Sequence, residues 1–255
     1  MVRGLDRFRE RFKGLGDRYL LIGGTACDLI MNDAGLQFRA TKDLDIVLCV
    51  ESFDAAFAKA FWAFVKDGGY QLQETTEGKT RFYRFQKPAD AAYPAMLELF
   101  SRAPDTLAIA EGSHLTPIPI NAEISSLSAI LLDSDYYDWI QAGRRELDGL
   151  PIVGAAHLVP LKVRAWLDLR ARKDAGEKVD SRAILKHKND VFRLSQVIDP
   201  QLDVRPSPHI VEDLRAFFGR IASEDVDLKA LGLRTTTLGT ILDGFRKLYG
   251  IAIGS

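Results

Sequence analysis

Apolar positions follow two patterns along the chain, and the change falls near residue 150. Before it, short apolar runs bounded by glycine alternate with segments whose apolar residues recur every three or four positions. Such runs predict strands and such periods predict helices. After residue 150 the helical period dominates. We therefore predict an α+β protein, with a mixed sheet and helices at residues 1–150 and a helical domain at residues 151–255.

The individual runs give approximate element positions. Strands are predicted at residues 19–22, 43–50, 70–75, 81–86 and 95–100, and in a hairpin over residues 144–153 that turns at Asp148 and Gly149. Ser52 is a plausible N-cap for a helix that Gly68 and Gly69 end. Further helices are predicted at residues 5–15, 26–31, 134–142, 158–174, 179–198, 211–222 and 235–249. Pro117 and Pro119 favour an edge or extended segment.

Composition narrows the class of protein. The chain has 255 residues, 47% of them hydrophobic, which is enough for a packed core. Its 34 Lys and Arg residues balance 35 Asp and Glu residues, so no global charge indicates a nucleic acid or membrane partner. Cys27 and Cys49 are predicted to be reduced packing residues. Without an apolar signal region or a long apolar stretch, we expect a cytoplasmic protein with no membrane partner.

Two carboxylates, Asp43 and Asp45, begin a strongly apolar run. Side chains alternate along a strand, so these two point one way while Leu44 and Ile46 point into the sheet. An oxygen-lined pair of this kind suits Mg²⁺. A divalent metal site is the first hypothesis, and a solvated strand end is the alternative.

Two other features bear on this site. The predicted strand at residues 19–22 runs into Gly23, Gly24 and Thr25 and then into a helix. Glycines let backbone approach a ligand, and a helix N-terminus attracts phosphate, although a Gly-Gly pair is also an ordinary turn. Glu98 lies alone in an apolar strand, where an acid must be paired, bound to a metal or turned to solvent. The sequence leaves these alternatives open.

The order of these features resembles the nucleotidyltransferase fold of the DNA polymerase β type. That order is a strand, a Gly-Gly pair, a helix, the paired acids and a later acid. The resemblance implies that Gly23 and Gly24 meet the nucleotide triphosphate. It also implies that Asp43, Asp45 and Glu98 hold two Mg²⁺ ions. Two metals can clamp the attacking and leaving oxygens of an in-line displacement.

A closer resemblance is to the AbiEii-like nucleotidyltransferases, which include toxins of toxin–antitoxin and phage-abortive systems. Four stretches resemble their motifs: residues 23–26 (Gly-Gly-Thr-Ala), 39–45 (Arg-Ala-Thr-Lys-Asp-Leu-Asp), 160–166 around Lys162, and 186–194 around Asp190. The resemblance implies that Lys162 and Asp190 join Asp43 and Asp45 as catalytic residues. The implied nucleotide-binding residues are Gly23, Gly24, Thr25, Arg39, Thr41, Lys186 and Lys188.

The segment between the Lys162 and Asp190 motifs is longer than in the family pattern, so Asp174 or Asp180 could take the place of Asp190. We prefer Asp190 because the apolar helical period continues beyond it. His187, between two lysines, is predicted to be a surface residue, and His114, His157 and His209 lack the spacing of a zinc site.

The expected activity is that of a Mg²⁺-dependent nucleotidyltransferase that moves an NMP from an NTP to an acceptor hydroxyl. In this reading residues 1–150 form the catalytic domain and residues 151–255 complete the active site. The acceptor would be a tRNA or a protein, and an antitoxin protein would be a further partner. The alternatives are a small-molecule nucleotidyltransferase of the aminoglycoside type and a non-catalytic nucleotide-binding module.

Overall fold

The computed structural model describes residues 2–72, 83–103, 115–118 and 127–252. Its sheet contains nine strands within these ranges: β1 Tyr19–Ile22, β2 Asp43–Leu48, β3 Gln71–Leu72, β4 Arg84–Gln86, β5 Met96–Ser101, β6 Leu115–Ile118, β7 Leu127–Leu131, β8 Arg144–Leu147 and β9 Leu150–Val153. The helices are α1 Leu5–Arg11, α2 Gly23–Asp33, α3 Ala55–Gly68, α4 Ser134–Ala142, α5 Ala155–Asp174, α6 Ser181–Leu194, α7 Pro208–Ile221 and α8 Leu238–Leu248. A 3₁₀ turn, Ser195–Val197, follows α6.

The sheet is mixed, and β2 lies near its middle. The strand order is β3-β4-β5-β2-β1-β9-β8, with β7 parallel to the end of β5 and β6 antiparallel to β7. Strand β2 runs antiparallel to β1 and parallel to β5. The α+β class predicted from the sequence is therefore observed, with a sheet-rich first part and four helices after β9.

The side of β2 and β5 opposite the carboxylates is fully buried. Its side chains alternate with the acids, as a strand requires, and they are Leu44, Ile46, Leu97 and Leu99. An aromatic cluster adds to the same core. In this cluster α1 meets α3 and β1 through Phe8, Phe12, Tyr19, Phe57 and Phe64. The buried face fixes the register of β2 and so fixes which way its acids point.

Helices from the second part of the chain pack on the first. Helix α5 contacts α2, α4, α6 and α7, and α6 also contacts α2. One hydrophobic cluster includes Leu21 of β1 and Trp166 of α5. Strand β9, which pairs with β1, straddles the domain boundary predicted at residue 150. The division into two domains stays a prediction.

Several local predictions can be compared with the structure. Strand β1 and helix α4 have the predicted bounds, and the β8–β9 hairpin turns at Asp148 and Gly149, both with positive φ. The Ser52 cap was wrong, because the side chain of Asp54 accepts a hydrogen bond from the backbone N–H of Phe57 and caps α3. Gly69 ends α3 with φ 60°.

Pro117 lies in β6, which pairs only with β7 among the described strands. Parts of the predicted strands at residues 70–75 and 81–86, together with His114 and Pro119, lie outside the described residues. Both cysteines are buried free thiols. Among the helices that the structure describes, none is long and apolar enough to cross a bilayer.

Candidate active site

Three carboxylates share one face of two neighbouring parallel strands. Asp45 lies directly opposite Glu98 on β5 and opposite Ile22 on β1, while Asp43 lies two positions earlier on β2. Burial, followed by the negative charges of Glu98 and Asp43, raises the pKa of Asp45 to about 6, although the charge of Lys162 opposes the shift. This crowding of negative charge is what a bound cation would relieve.

Glu98 is paired rather than exposed. Its side chain is 12% exposed, and its Oε1 accepts a hydrogen bond from Arg84 Nε at 2.5 Å. Strand register explains the pair, because Arg84 on β4 is the antiparallel partner of Glu98. The sequence reasoning missed Arg84, since the pairing of β4 with β5 cannot be read from local spacing.

The two glycines at the start of α2 lie against the acidic strand. Gly23 follows Ile22 with φ +68°, and a Cβ added there would overlap Oδ2 of Asp45. A Cβ on Gly24 would lie 2.5 Å from Thr41 Oγ1. Only glycine fits this close approach, which brings the N-terminus of α2 beside the carboxylates. Thr25 is buried, and its hydroxyl donates to the Asp43 carbonyl at 2.7 Å, so it ties α2 to β2.

The donor set fits Mg²⁺ by its chemistry, because it offers only carboxylate oxygens on one face. Asp43, Asp45 and Glu98 are not drawn together as closely as Asp133, Asp135 and His209, whose ligand atoms all lie within 4.8 Å of one another. The ion pair with Arg84 holds the carboxylate of Glu98. A metal held by all three acids therefore competes with Arg84 for Glu98.

Asp190 is the centre of a buried ionic network. Its carboxylate is fully buried and accepts hydrogen bonds from Arg39 Nε at 2.9 Å and Arg39 Nη2 at 2.7 Å. Lys162 Nζ lies 3.3 Å from Oδ2, and Arg193 Nη1 lies 3.4 Å from Oδ1. Although burial opposes ionisation, the hydrogen bonds from Arg39 and the charge of Lys162 hold the pKa of Asp190 below its usual range.

This network lies beside the carboxylates. The charges of Lys162 and Lys186 act on Asp45 and lower its pKa against the effect of burial. Partial burial, and then the charges of Arg39 and Lys162, lower the pKa of Lys186 itself. The fold therefore places a group with surplus positive charge next to a group with surplus negative charge. Such a pair of regions can take a metal and a polyanion together.

His187 differs from its prediction as a surface residue. Burial, followed by the charges of Lys162 and Lys186, lowers its pKa to about 4, so its imidazole is neutral at pH 7. The sequence misled because two flanking lysines suggested solvent, whereas the helix turns His187 towards Lys162.

Not every predicted residue joins this site. Lys188 pairs instead with Glu224, at 2.8 Å. Of the alternative acids, Asp180 caps α6 through the Arg182 N–H, and Asp174 lies 3.8 Å from Arg220. Asp190 is thus the acid that the structure brings to Lys162.

Phe38 is a neighbour that the sequence did not indicate. Its ring lies between two guanidinium groups of the network, with centroid distances of 5.0 Å to Arg39 and 5.9 Å to Arg193. The ring covers the apolar face of each cation and holds it near Asp190.

His209 approaches two carboxylates, although its position in the sequence lacked the spacing of a zinc site. Its Nδ1 lies 3.6 Å from Asp133 Oδ1 and 3.9 Å from Asp135 Oδ2, where the first turns of α4 and α7 meet. The arrangement is compatible with a divalent cation. Both acids also have structural partners, because Asp133 caps α4 and Asp135 accepts from Ser207.

No protein-family model matches the sequence, and no curated protein is significantly similar to it. Solved structures with a related arrangement include JHP933 from Helicobacter pylori, which is 14% identical, covers 97% of this chain and 88% of that one, and has a TM-score of 0.40. The antibiotic-resistance factor ANT(2'')-Ia is 14% identical over 86% of this chain and 92% of its own, with a TM-score of 0.38.

The lincosamide antibiotic adenylyltransferase LnuA, solved with lincomycin bound, is 17% identical over 72% of this chain and 94% of its own, with a TM-score of 0.38. Similarities at this level do not assign a function to the chain, which must be argued from its own residues.

Proposed function

We propose that the protein is a Mg²⁺-dependent nucleotidyltransferase that moves an NMP from an NTP to an acceptor hydroxyl. The observation that carries the proposal is the row formed by Gly23, Asp45 and Glu98 across three neighbouring segments. It combines a close backbone approach with carboxylate oxygens on one face, and a cationic group adjoins it.

In this proposal Asp43, Asp45 and Glu98 hold Mg²⁺, with two ions expected when NTP is bound. The metal would supply charge stabilisation for the attacking and leaving oxygens. The raised pKa of Asp45 supports a cation at this position, because bound positive charge favours its ionised form. Arg84 would act as the counter-ion of Glu98 when the metal is absent.

The cationic side of the site would bind the triphosphate. Lys162, Lys186 and Arg39 would neutralise phosphate oxygens, and Gly24 and Thr41 would border the same space at the start of α2. Asp190 acts as a positioning residue in this scheme, because it holds Arg39 and Lys162 in fixed geometry. Thr25 would contribute by tying α2 to β2 rather than by touching nucleotide.

The test is incorporation of labelled NTP by Asp45→Asn, a substitution that keeps the shape of the side chain. We expect transfer to fall at least about a hundredfold, while the melting temperature stays equal or rises because a crowded charge is removed. Asp138→Asn, which changes an exposed carboxylate on α4, is the matched control and keeps wild-type transfer. Full transfer by folded Asp45→Asn protein would refute the metal assignment.

The chemical class of the acceptor distinguishes the alternative functions that a nucleotidyltransferase of this kind could have. A tRNA or protein acceptor, a toxin role and an antitoxin partner rest on the resemblance to AbiEii-like proteins. A panel of tRNA, protein and aminoglycoside acceptors would discriminate, because only a nucleic-acid acceptor gives a steep salt dependence. Growth arrest on expression that Asp45→Asn relieves would support the toxin role. Nucleotide binding without transfer to any acceptor would favour a non-catalytic module.

A further inference from the structure

A small cavity between α5 and α6 gathers three cations, and none of the residues proposed above to bind metal or nucleotide lines it. It measures about 160 Å³, which leaves room for a group of several heavy atoms. Its polar lining comes from Arg170, Lys173, Ser181, Lys188 and Glu224. This is where the structure places Lys188, which the sequence had grouped with the nucleotide-binding residues.

The charges of the cavity do not balance. Glu224 accepts from Lys188 Nζ at 2.8 Å through one oxygen and lies 3.9 Å from Arg170 Nη1 through the other. Within the part of the chain that the structure describes, the partner of Lys173 Nζ is neutral, the Ser181 Oγ atom at 2.9 Å. Three cations therefore face one carboxylate, and two positive charges are left without a counter-ion among the lining residues.

Arg170 and Ser181 form two sides of the cavity. The Nε atom of Arg170 is buried and has no hydrogen-bond partner among the described residues, although a buried donor is costly to leave unpaired. Ser181 is the first residue of α6 and borders the cavity, while the carboxylate of Asp180 already caps the N-terminus of this helix. The ring of Trp166, 5.4 Å from the Arg170 guanidinium carbon, limits where that guanidinium can move.

We propose that this cavity binds a phosphate group through Arg170, Lys173 and Lys188. A phosphate oxygen can accept from the partly exposed guanidinium of Arg170 and from the Nζ atom of Lys173, and the phosphate charge matches the two uncompensated cations. The phosphate is either a free or small phosphate ester, or the backbone of a nucleic acid. Asp43, Asp45 and Glu98 do not line this cavity, and the proposal does not rest on the proposed nucleotidyl transfer.

The test measures binding of inorganic phosphate to the full-length protein by calorimetry, without Mg²⁺ and at constant ionic strength. We expect saturable binding that weakens about tenfold in Lys173→Gln, because one charge-assisted hydrogen bond is lost. Arg172→Gln is the matched control, since it removes an exposed charge one residue away that pairs with Glu177 outside the cavity. Arg170→Lys, which keeps the charge but loses the forked guanidinium donors, should also weaken binding.

A second arm uses a short single-stranded RNA and the same variants. RNA binding that falls in Lys173→Gln and is displaced by phosphate identifies a nucleic-acid backbone as the source. Loss of phosphate binding with unchanged RNA binding identifies a small phosphate compound. Equal phosphate and RNA binding by wild type, Lys173→Gln and Arg172→Gln would overturn the proposal.

Discussion

At the scale of single residues, the site is defined by charges that are buried in pairs. Asp190 forms ion pairs with cations from three segments of the chain, and Glu98 forms an ion pair with Arg84. A buried pair adds little net stability, but breaking it leaves an unpaired buried charge. The effect of a substitution on stability therefore depends on whether it leaves a buried charge without its partner.

Asp190→Asn should destabilise the protein by about 3–5 kcal/mol, because Lys162 stays buried and charged without its partner. Urea unfolding measures the loss. Adding Lys162→Met should recover part of it, since the double variant removes the stranded charge. Arg172→Gln, which breaks an exposed pair with Glu177, should leave stability unchanged. An Asp190→Asn variant as stable as wild type would contradict the buried network.

His187 gives the protein a pH dependence with a defined sign. Its folded pKa of about 4 lies below the unfolded value near 6.5, so the unfolded chain binds more protons between these values. Stability from this group is full above about pH 6.5 and falls as the pH drops towards 4. This group alone should cost about 1–2 kcal/mol between pH 7 and pH 5, and the raised pKa of Asp45, about 6, acts in the opposite direction over the same range.

His187→Gln should remove this contribution, so that the stability measured by urea unfolding is less reduced, or more increased, than that of wild type as the pH drops from 7 to 5. The slope that remains reflects His157, whose pKa burial lowers, and Asp45, whose raised pKa opposes it. An unchanged slope in His187→Gln would show that the imidazole is not held neutral by its surroundings.

At the scale of elements, the backbone conformation where β1 meets α2 affects both the stability of the fold and the carboxylates of the proposed site. Gly23→Ala must adopt φ +68° and also displace the Asp45 carboxylate. Gly35→Ala is the matched control, because its φ is +71° but no atom lies within 4 Å of the added Cβ. We expect Gly35→Ala to cost about 1–2 kcal/mol and Gly23→Ala to cost more in urea unfolding. Only Gly23→Ala should also reduce NTP incorporation, and equal losses in both assays would contradict the close approach.

The local pattern of apolar and polar residues predicted most helices and strands. It did not predict which residues of different elements contact one another. The run before Gly23 and the Asp148-Gly149 turn have signals within a few residues, and both elements formed where predicted. The cap of α3 was misplaced by two residues because Ser52 and Asp54 are both good N-caps. The Arg84–Glu98 pair depends on strand register, and the burial of His187 depends on how α6 packs. Neither feature can be predicted from the spacing of neighbouring residues in the sequence.

At the scale of the whole molecule, one apolar cluster runs from the sheet into the C-terminal helices. We therefore predict a single cooperative unfolding transition rather than one for each predicted domain. Circular dichroism should coincide with the fluorescence of two single-tryptophan variants, one keeping Trp62 on α3 and the other keeping Trp166 on α5. Separate midpoints for the two tryptophans would show that the helices unfold on their own.

The Asp190 network also bears on the order of folding events. Its bond to Arg39 joins residues 151 positions apart, so it closes a very long loop. Contacts of such high separation form after the local ones, and an interaction that is absent from the transition state mainly slows unfolding. The network should therefore govern how long a folded molecule survives, more than how fast it folds.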